Sequence, residues 1–318
     1  MNDPRGLIAV RKAGLPPLVS TGLSILIALL SQVLFCATAP AQRTNTAALT
    51  ITSEPNAIIW VDEIRRGTTD AAGKLVLTKV APGRHTLRVR ANGFKEVSVP
   101  LLAGKRTASV KLVRSTDPAE LAFQRAETAR EQARTEEAQR QAVELYQEVL
   151  KLRSAYPAAH VGLARLLLEL NEYPEALAEI QAARQSRPVY PEASAVEGRI
   201  QREAAFDDKA IASFRRAIRE GKGVQPEAHV GLARVLEEKG QHDEAIEEYQ
   251  TAIAQLADSE PVIYQLLGSA YEKQQKYKEA LAAYERYLAL APNGSLAPAL
   301  RSIIEQLRRD AAGQGIVP

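Results

Sequence analysis

From residue 142 onward, an alanine recurs in this 318-residue chain at a nearly constant interval. The spacings are 34, 34, 35 and 35 residues, between Ala142, Ala176, Ala210, Ala245 and Ala280. The last four lie in similar phrases: YPEALAEI, DDKAIASF, HDEAIEEY and YKEALAAY. A fixed period near 34 residues indicates stacked helical hairpins, because one hairpin cannot bury its own apolar face. We expect such a chain to bind other molecules rather than to perform chemistry.

Other positions repeat in step with these alanines. If the units begin at four regularly spaced prolines, their eighth positions are all small and their twenty-fourth positions are all large. The prolines are Pro157, Pro191, Pro226 and Pro261, the small residues Ala164, Gly198, Ala233 and Gly268, and the large ones Ile180, Phe214, Tyr249 and Tyr284. Over these four units the chain resembles tetratricopeptide repeats, which implies an all-α right-handed solenoid. With a degenerate fifth hairpin before them and a capping helix after them, the array is predicted over 117–310, followed by a disordered tail at 311–318.

The resemblance implies that positions 2, 5, 9 and 12 of each first helix face a groove. Position 9 is arginine in three successive units and position 12 adds a fourth arginine: Arg165, Arg199, Arg234 and Arg202. Because guanidinium pairs bidentately with carboxylate, this row predicts a binding site for a carboxylate-bearing protein or peptide partner. The alternative is pairing within each helix, worth about 0.2–0.5 kcal/mol, because a glutamate follows each position-9 arginine by four residues. Those glutamates are Glu169, Glu203 and Glu238.

Residues 46–114 have a different pattern, with short β-type runs separated by turn residues about every ten positions. Leu87, Val89 and Ala91 alternate with arginines, which is typical of a half-buried strand. The spacing predicts a small antiparallel sandwich, and we expect Trp60 in its core.

Three phrases in this module carry a second resemblance. They are S-x-P-x-A at 53–57, RGTT at 66–69 and V-x-P-G at 80–83, followed by Asn92-Gly93-Phe94. Together they resemble the PEGA domain, although Asn56 stands where that family has its Glu-Gly pair. The resemblance implies an extracytoplasmic β-sandwich, attached to other envelope modules and without a catalytic role.

The two modules differ in charge. Residues 42–114 have 13 Lys/Arg against 5 Asp/Glu, a net +8, whereas residues 115–318 have 25 against 32, a net −7. The basic module suggests an anionic-surface patch for membrane lipid or cell-wall polymer, at Arg65, Arg66, Arg88 and Arg90. The alternative is ordinary solvated strand faces. Nucleic acid is not an expected partner, because few aromatic residues lie near these charges to stack on bases.

The N-terminus predicts export. Arg5, Arg11 and Lys12 precede an apolar run at 23–35, and Ala39-Pro40-Ala41 follows it. This order is typical of a signal peptide over 1–41, and an uncleaved membrane anchor is the alternative. Either one predicts a periplasmic or envelope location. The single cysteine, Cys36, lies in this segment, so its cleavage would leave no cysteine for catalysis or disulfides.

No catalytic or metal-binding pattern is present in the sequence. His160 and His229 occupy position 4 of their units, where a ring is expected to pack between helices. No histidine and carboxylate set has metal spacing, and no phosphate loop or nucleophile elbow occurs. We therefore predict no enzyme activity, cofactor or metal. The predicted function is an envelope adaptor whose helical groove binds a partner. The alternative is an envelope protein whose β module binds glycan or anionic polymer, with the array as spacer or oligomeriser.

Overall fold

The computed structural model describes residues 48–62, 64–78, 80, 84–256 and 258–313. The predicted signal peptide or anchor at 1–41 lies outside these residues, as do 314–318 of the predicted tail. The β module and the helical array belong to one compact unit, Thr46–Pro318.

Seven strands form two sheets in the β module. They are β1 (Leu49–Thr52), β2 (Ile58–Val61), β3 (Ile64–Thr68), β4 (Lys74–Leu77), β5 (His85–Arg90), β6 (Val97–Leu101) and β7 (Thr107–Ser109). The three-stranded sheet has the order β4-β1-β7, and the four-stranded sheet has the order β3-β2-β5-β6. All strand pairs are antiparallel except β1 with β7, which is parallel.

The two sheets bury one apolar core between them, as predicted for a sandwich. Alternate residues point inward: Ile59 and Leu87 from the four-stranded sheet meet Leu49 and Ile51 from the other. Trp60 does not join this core, contrary to the expectation. Its neighbours along the strand, Ile59 and Val61, point inward, so the two-residue period turns the half-buried Trp60 to the opposite face.

Eleven α-helices follow within the described residues. They are α1 (Pro118–Gln132), α2 (Glu136–Leu152), α3 (Pro157–Glu169), α4 (Tyr173–Ser186), α5 (Pro191–Glu203), α6 (Asp207–Glu220), α7 (Pro226–Glu238), α8 (His242–Leu256), α9 (Val262–Lys273), α10 (Tyr277–Leu290) and α11 (Ala297–Gly313). Helix α11 continues three residues into the segment 311–318 that the sequence analysis assigns to a tail. An all-β module followed by an all-α array is the predicted order of modules.

The helices pair as five hairpins, α1–α2 to α9–α10, and α11 packs on α10. First helices of successive units also contact one another, in the pairs α1–α3, α3–α5 and α5–α7. The first helices therefore line the inner side of the array. Side chains that point away from the second helices meet there. This arrangement decides which residues can form a shared surface.

Two glycines of the first helices are sites of close helix approach: Gly198, which is a predicted small position, and Gly231, which was not predicted to be one. A Cβ added to Gly198 would lie 2.7 Å from the Phe214 ring, and one added to Gly231 would lie 2.4 Å from the same ring. Phe214 is fully buried between the two glycines, one in its own unit and one in the next. The Phe214 ring therefore occupies space that is open only because these two residues are glycines and have no side chain.

The two predicted packing histidines make matching contacts. The His160 ring nitrogens lie 2.5 Å from Glu179 Oε2 and 2.9 Å from the Ser154 carbonyl. His229 contacts Glu248 and the Gly223 carbonyl in the same way, two units later. The hydrogen bond to Glu179 raises the pKa of His160. Each ring thus joins the second helix of its unit to the loop before that unit.

We expect Gly231→Ala to destabilise the array by about 1–3 kcal/mol, because its Cβ would overlap the buried Phe214 ring. Chemical denaturation measures the change in the free energy of unfolding. The double variant with Phe214→Leu supplies the control, since a smaller side chain should tolerate the added methyl. If Gly231→Ala is instead stabilising, as helix propensity alone predicts, then the close packing is not a constraint.

Candidate functional site

The outer face of the four-stranded sheet lies against the helical array. Arg90 pairs with Glu127 of α1 at 3.4 Å, and Arg65 pairs with Glu131 at 3.2 Å. Gln124 of α1 accepts a hydrogen bond from the Gly93 backbone nitrogen at 2.7 Å. The basic sheet and the acidic array therefore attract each other within one chain.

Arg66 extends this contact to the other end of the β module. Its guanidinium donates to the backbone carbonyls of Gln255 at 2.9 Å and Leu256 at 3.1 Å, in the last turn of α8. The pairing of β2 with β3 shifts register between Ile59 and Trp60, so Arg66 is the extra residue opposite that step. Bulges redirect side chains in this way, and a cation at a helix C-terminus complements the helix dipole.

Arg88 and Arg90 also pack on Trp60. Their guanidinium carbons lie 4.3 and 5.2 Å from the Trp60 ring centroid, within cation–π range. Arg88 pairs in addition with Glu96 at 3.5 Å. Trp60 therefore contacts two guanidinium groups at the boundary between the sheet and the array. It does not pack among the aliphatic side chains of the sandwich core.

Of the four residues predicted as an anionic-surface patch, Arg90 is buried, Arg66 and Arg88 are half-buried, and Arg65 is exposed. Arg65, Arg66 and Arg90 contact the array, and Arg88 packs on Trp60. The reason is strand register: Arg65, Arg88 and Trp60 are cross-strand neighbours, so they share one face of the sheet, and that face is docked. A surface ligand would have to displace these contacts.

The inner face of the array contains a row of ion pairs between units. Arg165 of α3 pairs with Glu192 of α5 at 3.1 Å and with Glu227 of α7 at 3.1 Å. Arg199 of α5 pairs with the same Glu227 at 3.1 Å. The Arg165 side chain is 18% exposed, so its charge is largely desolvated and depends on these partners.

Glu227 is the centre of this row. Burial alone would raise its pKa, but attraction to Arg165 and Arg199, with their hydrogen bonds, outweighs burial and lowers the pKa to about 2. Burial alone would lower the pKa of Arg165, but attraction to Glu227 and Glu192 outweighs it and raises the pKa above its usual value. The row therefore stays ionised throughout the neutral pH range.

These pairs differ from the in-helix pairing considered in the sequence analysis. Arg165 does not bind Glu169, which instead accepts from Gln139. The partners are Glu192 and Glu227, at position 2 of the units that follow. Sequence reasoning missed these two glutamates, although one follows Arg165 by 27 residues and the other follows Arg199 by 28.

Arg234 is the exception in the row. Position 2 of the next unit is Val262, so the carboxylate that the register would supply is missing. Arg234 is exposed and makes no ion pair with a described residue. The valine itself is 45% exposed beside it. The last arginine of the row is therefore left with its charge uncompensated by a neighbour.

Arg234 lines a cavity of about 650 Å³ that we call the chamber. Arg199 and Arg202 line it too, so three of the four predicted groove residues meet there, and Arg165 does not. Arg202 pairs with its neighbour Glu203. The chamber also contains aliphatic side chains, the acidic Glu260 and a wall from the β module: Val224, Val230, Val262, Leu256, Leu266, Asp62 and Ile64.

Arg165 lines a second cavity of about 510 Å³, between the β module and the first helices. Trp60, Tyr156 and Tyr190 contribute aromatic rings to it, and glutamates alternate with arginines around it. Arg165 is already engaged there by Glu192 and Glu227, whereas the exposed Arg187 lines the same cavity without an ion pair to a described residue.

Within the described residues no group of histidine, cysteine and carboxylate side chains could hold a metal ion. In the same part of the chain, no helix has the length and apolar character needed to cross a membrane. The predicted anchor at 1–41 is outside that part.

We expect Arg66→Met to loosen the docked sheet by about 1–3 kcal/mol, because two hydrogen bonds from a charged donor are lost while the aliphatic length is kept. Hydrogen exchange should become faster in β3 and in the last turn of α8, and stay unchanged in α10. Lys74→Met, on the opposite sheet, is the matched control. Unchanged exchange in β3 would show that Arg66 does not hold the modules together.

We expect Glu227→Gln to lower the free energy of unfolding at pH 7 by about 1–3 kcal/mol, because Arg165 and Arg199 lose a charged acceptor. The folded pKa of about 2 lies below the ordinary 4.5, so the stabilisation is present above pH 4.5 and lost as the pH falls towards 2. The variant should lack this part of the acid dependence. Glu238→Gln, exposed on the same helix, is the control, and equal acid dependence in all three proteins would contradict the assignment.

Two family models match the helical part of the chain. Both are described as tetratricopeptide repeat, and they match residues 130–200 and 225–293. A comparison with curated proteins finds no match.

Several solved structures are similar to this chain. The thermophilic tetratricopeptide protein TTC0263 of Thermus thermophilus is 23% identical over 60% of this chain and 96% of its own, with a TM-score of 0.47. MamA is 24% identical over 50% of this chain and 92% of its own, with a TM-score of 0.42. YrrB, described as having an unusual peptide-binding site, is 17% identical over 59% of this chain and 94% of its own, with a TM-score of 0.42.

The first matched segment, 130–200, includes Arg165 and Arg199 of the inner row. The second, 225–293, includes Glu227, Arg234 and Val262. The predicted repeats are thus confirmed in both segments. Residues 130–200 and 225–293 are therefore tetratricopeptide repeats, and the eleven described helices form a solenoid of that type.

Proposed function

We propose that this protein is a non-enzymatic adaptor, in which the chamber binds a segment of a partner protein. The observation that carries the proposal is the uncompensated charge of Arg234 beside exposed aliphatic side chains. An exposed cation next to Val224 and Val262 suits a ligand that supplies both a carboxylate and apolar side chains. Tetratricopeptide arrays are protein-interaction modules, which agrees with this use.

The inner row divides the predicted arginines into two roles. Arg165 and Arg199 share Glu227 and so connect the first helices of three units. Their main role is therefore to stabilise the array. Arg234 has no such task within the described residues. We therefore assign partner binding to Arg234, with Arg202 beside it, and expect variants of Arg165 to affect stability before they affect binding.

The shape of the chamber limits what can enter. Asp62 and Ile64 of the β module form one wall, and the first helices α5, α7 and α9 form the others. A short extended segment fits a space of about 650 Å³ better than a full helix, whose diameter is about 10–12 Å with side chains. Affinity near the micromolar level, about −8 kcal/mol, is expected for one such segment.

The cell envelope remains the proposed location. The basic and apolar N-terminal segment at 1–41 supports export, and the PEGA-like phrases of the β module support an extracytoplasmic setting. In this arrangement the β module serves as part of the binding site, since Asp62 and Ile64 line the chamber. The alternative of glycan or polymer binding through Arg65, Arg66, Arg88 and Arg90 would require that face to undock.

The proposal is tested with a photo-crosslinking residue at Val262, in the full chain expressed in its native envelope. We expect a protein partner to be captured, and Arg234→Glu to reduce capture at least tenfold, because the reversed charge repels a carboxylate. A synthetic peptide covering the crosslinked segment should then bind near the micromolar level by calorimetry.

Arg219→Glu is the matched control, because Arg219 is exposed on the second helix α6 and makes no ion pair with a described residue. Circular dichroism must show equal helicity in both variants. Capture that is equally strong with Arg234→Glu would place partner binding elsewhere, and a captured segment without a carboxylate would reject the assigned chemistry.

A further inference from the structure

The three-stranded sheet presents a face that points away from the helical array. The four-stranded sheet lies between this sheet and the helices, so the two outer faces of the sandwich are on opposite sides. On the three-stranded sheet, β4 and β7 flank β1, and Thr52 pairs with both Lys74 and Ser109. Lys111 is two residues beyond Ser109, so the alternation places it on the same face.

This face is basic. Lys74 and Lys111 lie on it, and Lys105 and Arg106 lie in the turn that leads into β7. All four side chains are exposed, and none forms an ion pair with a described residue. The nearby Asp70 is exposed too, and its carboxylate accepts hydrogen bonds from the backbone nitrogens of Ala72 and Lys74.

Exposed aliphatic residues lie among these charges. Val76 is 48% exposed on β4, and Val113 is 65% exposed two residues beyond Lys111. Leu102 is 48% exposed in the turn before Lys105. Water is a poor environment for such side chains, so a surface that combines them with unpaired lysines suits a partner that is anionic outside and apolar beneath.

We propose that this outer basic face, formed by Lys74, Lys105, Arg106 and Lys111 with Val76, Leu102 and Val113, binds the surface of an anionic lipid membrane. Anionic headgroups attract the four cations, at about a fivefold gain in binding for each residue near the surface. The aliphatic side chains enter the interfacial region. A soluble anionic polymer would pair with the four cations but would leave the three aliphatic side chains in water. A membrane therefore accounts for more of this surface.

Membrane binding on this side gives the molecule an orientation. The chamber and the arginines that contact the array are on the opposite side of the four-stranded sheet. Residues 115–318 have a net charge of −7, so an anionic membrane repels them while it attracts the outer basic face. The chamber is left open to a partner. This inference is independent of the proposed partner segment, because it uses none of the same residues.

The test is co-sedimentation of the full chain with two kinds of vesicle. One kind is phosphatidylcholine alone, and the other contains one part phosphatidylglycerol to two parts phosphatidylcholine. We expect at least tenfold stronger binding to the anionic vesicles, falling steeply at about 0.5 M salt. The apolar segment at 23–35 is present in every variant, so differences between variants report the outer face.

The double variant Lys74→Glu/Lys111→Glu should reduce the preference for anionic vesicles at least tenfold, because two attractive charges become repulsive. Lys222→Glu/Lys278→Glu changes the net charge equally on exposed residues of the array and should keep the preference. Val113→Ser should weaken vesicle binding about threefold or more while leaving binding to dextran sulfate unchanged.

Four results would overturn the proposal. The first is no preference of the wild-type chain for anionic vesicles, and the second is an unchanged preference in the lysine double variant. The third is binding to dextran sulfate without vesicle binding, which would assign the face to a soluble polymer. Self-association that depends on Lys74 and Lys111, with no vesicle binding, would assign it to the acidic array of a second copy.

Discussion

The close approach of paired helices, made possible by small residues, is the constraint on which the rest of this structure depends. Phe214 fits between Gly198 and Gly231, with no space for a Cβ on either. This packing sets the distance and register between successive units. Because the units repeat in register, position 9 of one first helix lies beside position 2 of the next. The pairs of Arg165 with Glu192 and of Arg199 with Glu227 follow from that geometry, and Arg165 also reaches Glu227 two units on.

The same register explains why the row ends where it does. Buried ion pairs gain little net stability over apolar contacts, but an unpaired buried charge is costly, so each arginine inside the row needs its glutamate. Arg234 tolerates the loss because it is exposed, at the point where Val262 replaces the acidic residue. Position 9 of the repeat therefore supplies both the arginines that pair between units and Arg234, the candidate binding residue.

The β module changes the meaning of the inner face. An isolated array of this kind would present its whole groove to solvent, whereas here a sheet face rich in arginine occupies part of it, tied at α1 by Arg90 and at α8 by Arg66. The opposite net charges of the two modules thus contribute to the contact between them. What remains accessible is the chamber on one side and the outer basic face on the other.

The sequence by itself determined the order of modules, the repeats and the small positions, because these depend on local periodicity and on helix contacts one unit apart. It also determined that arginines recur on the first helices. Only the tertiary structure decided their partners, because Arg165 meets Glu227 across 62 residues and Arg66 meets α8 across 189 and 190. Trp60 shows the difference: we expected it in the sandwich core, and only the structure placed it on the outward face, since its neighbours Ile59 and Val61 point inward. That this outward face meets helices rather than solvent depended on how the two modules dock, which no local pattern encodes.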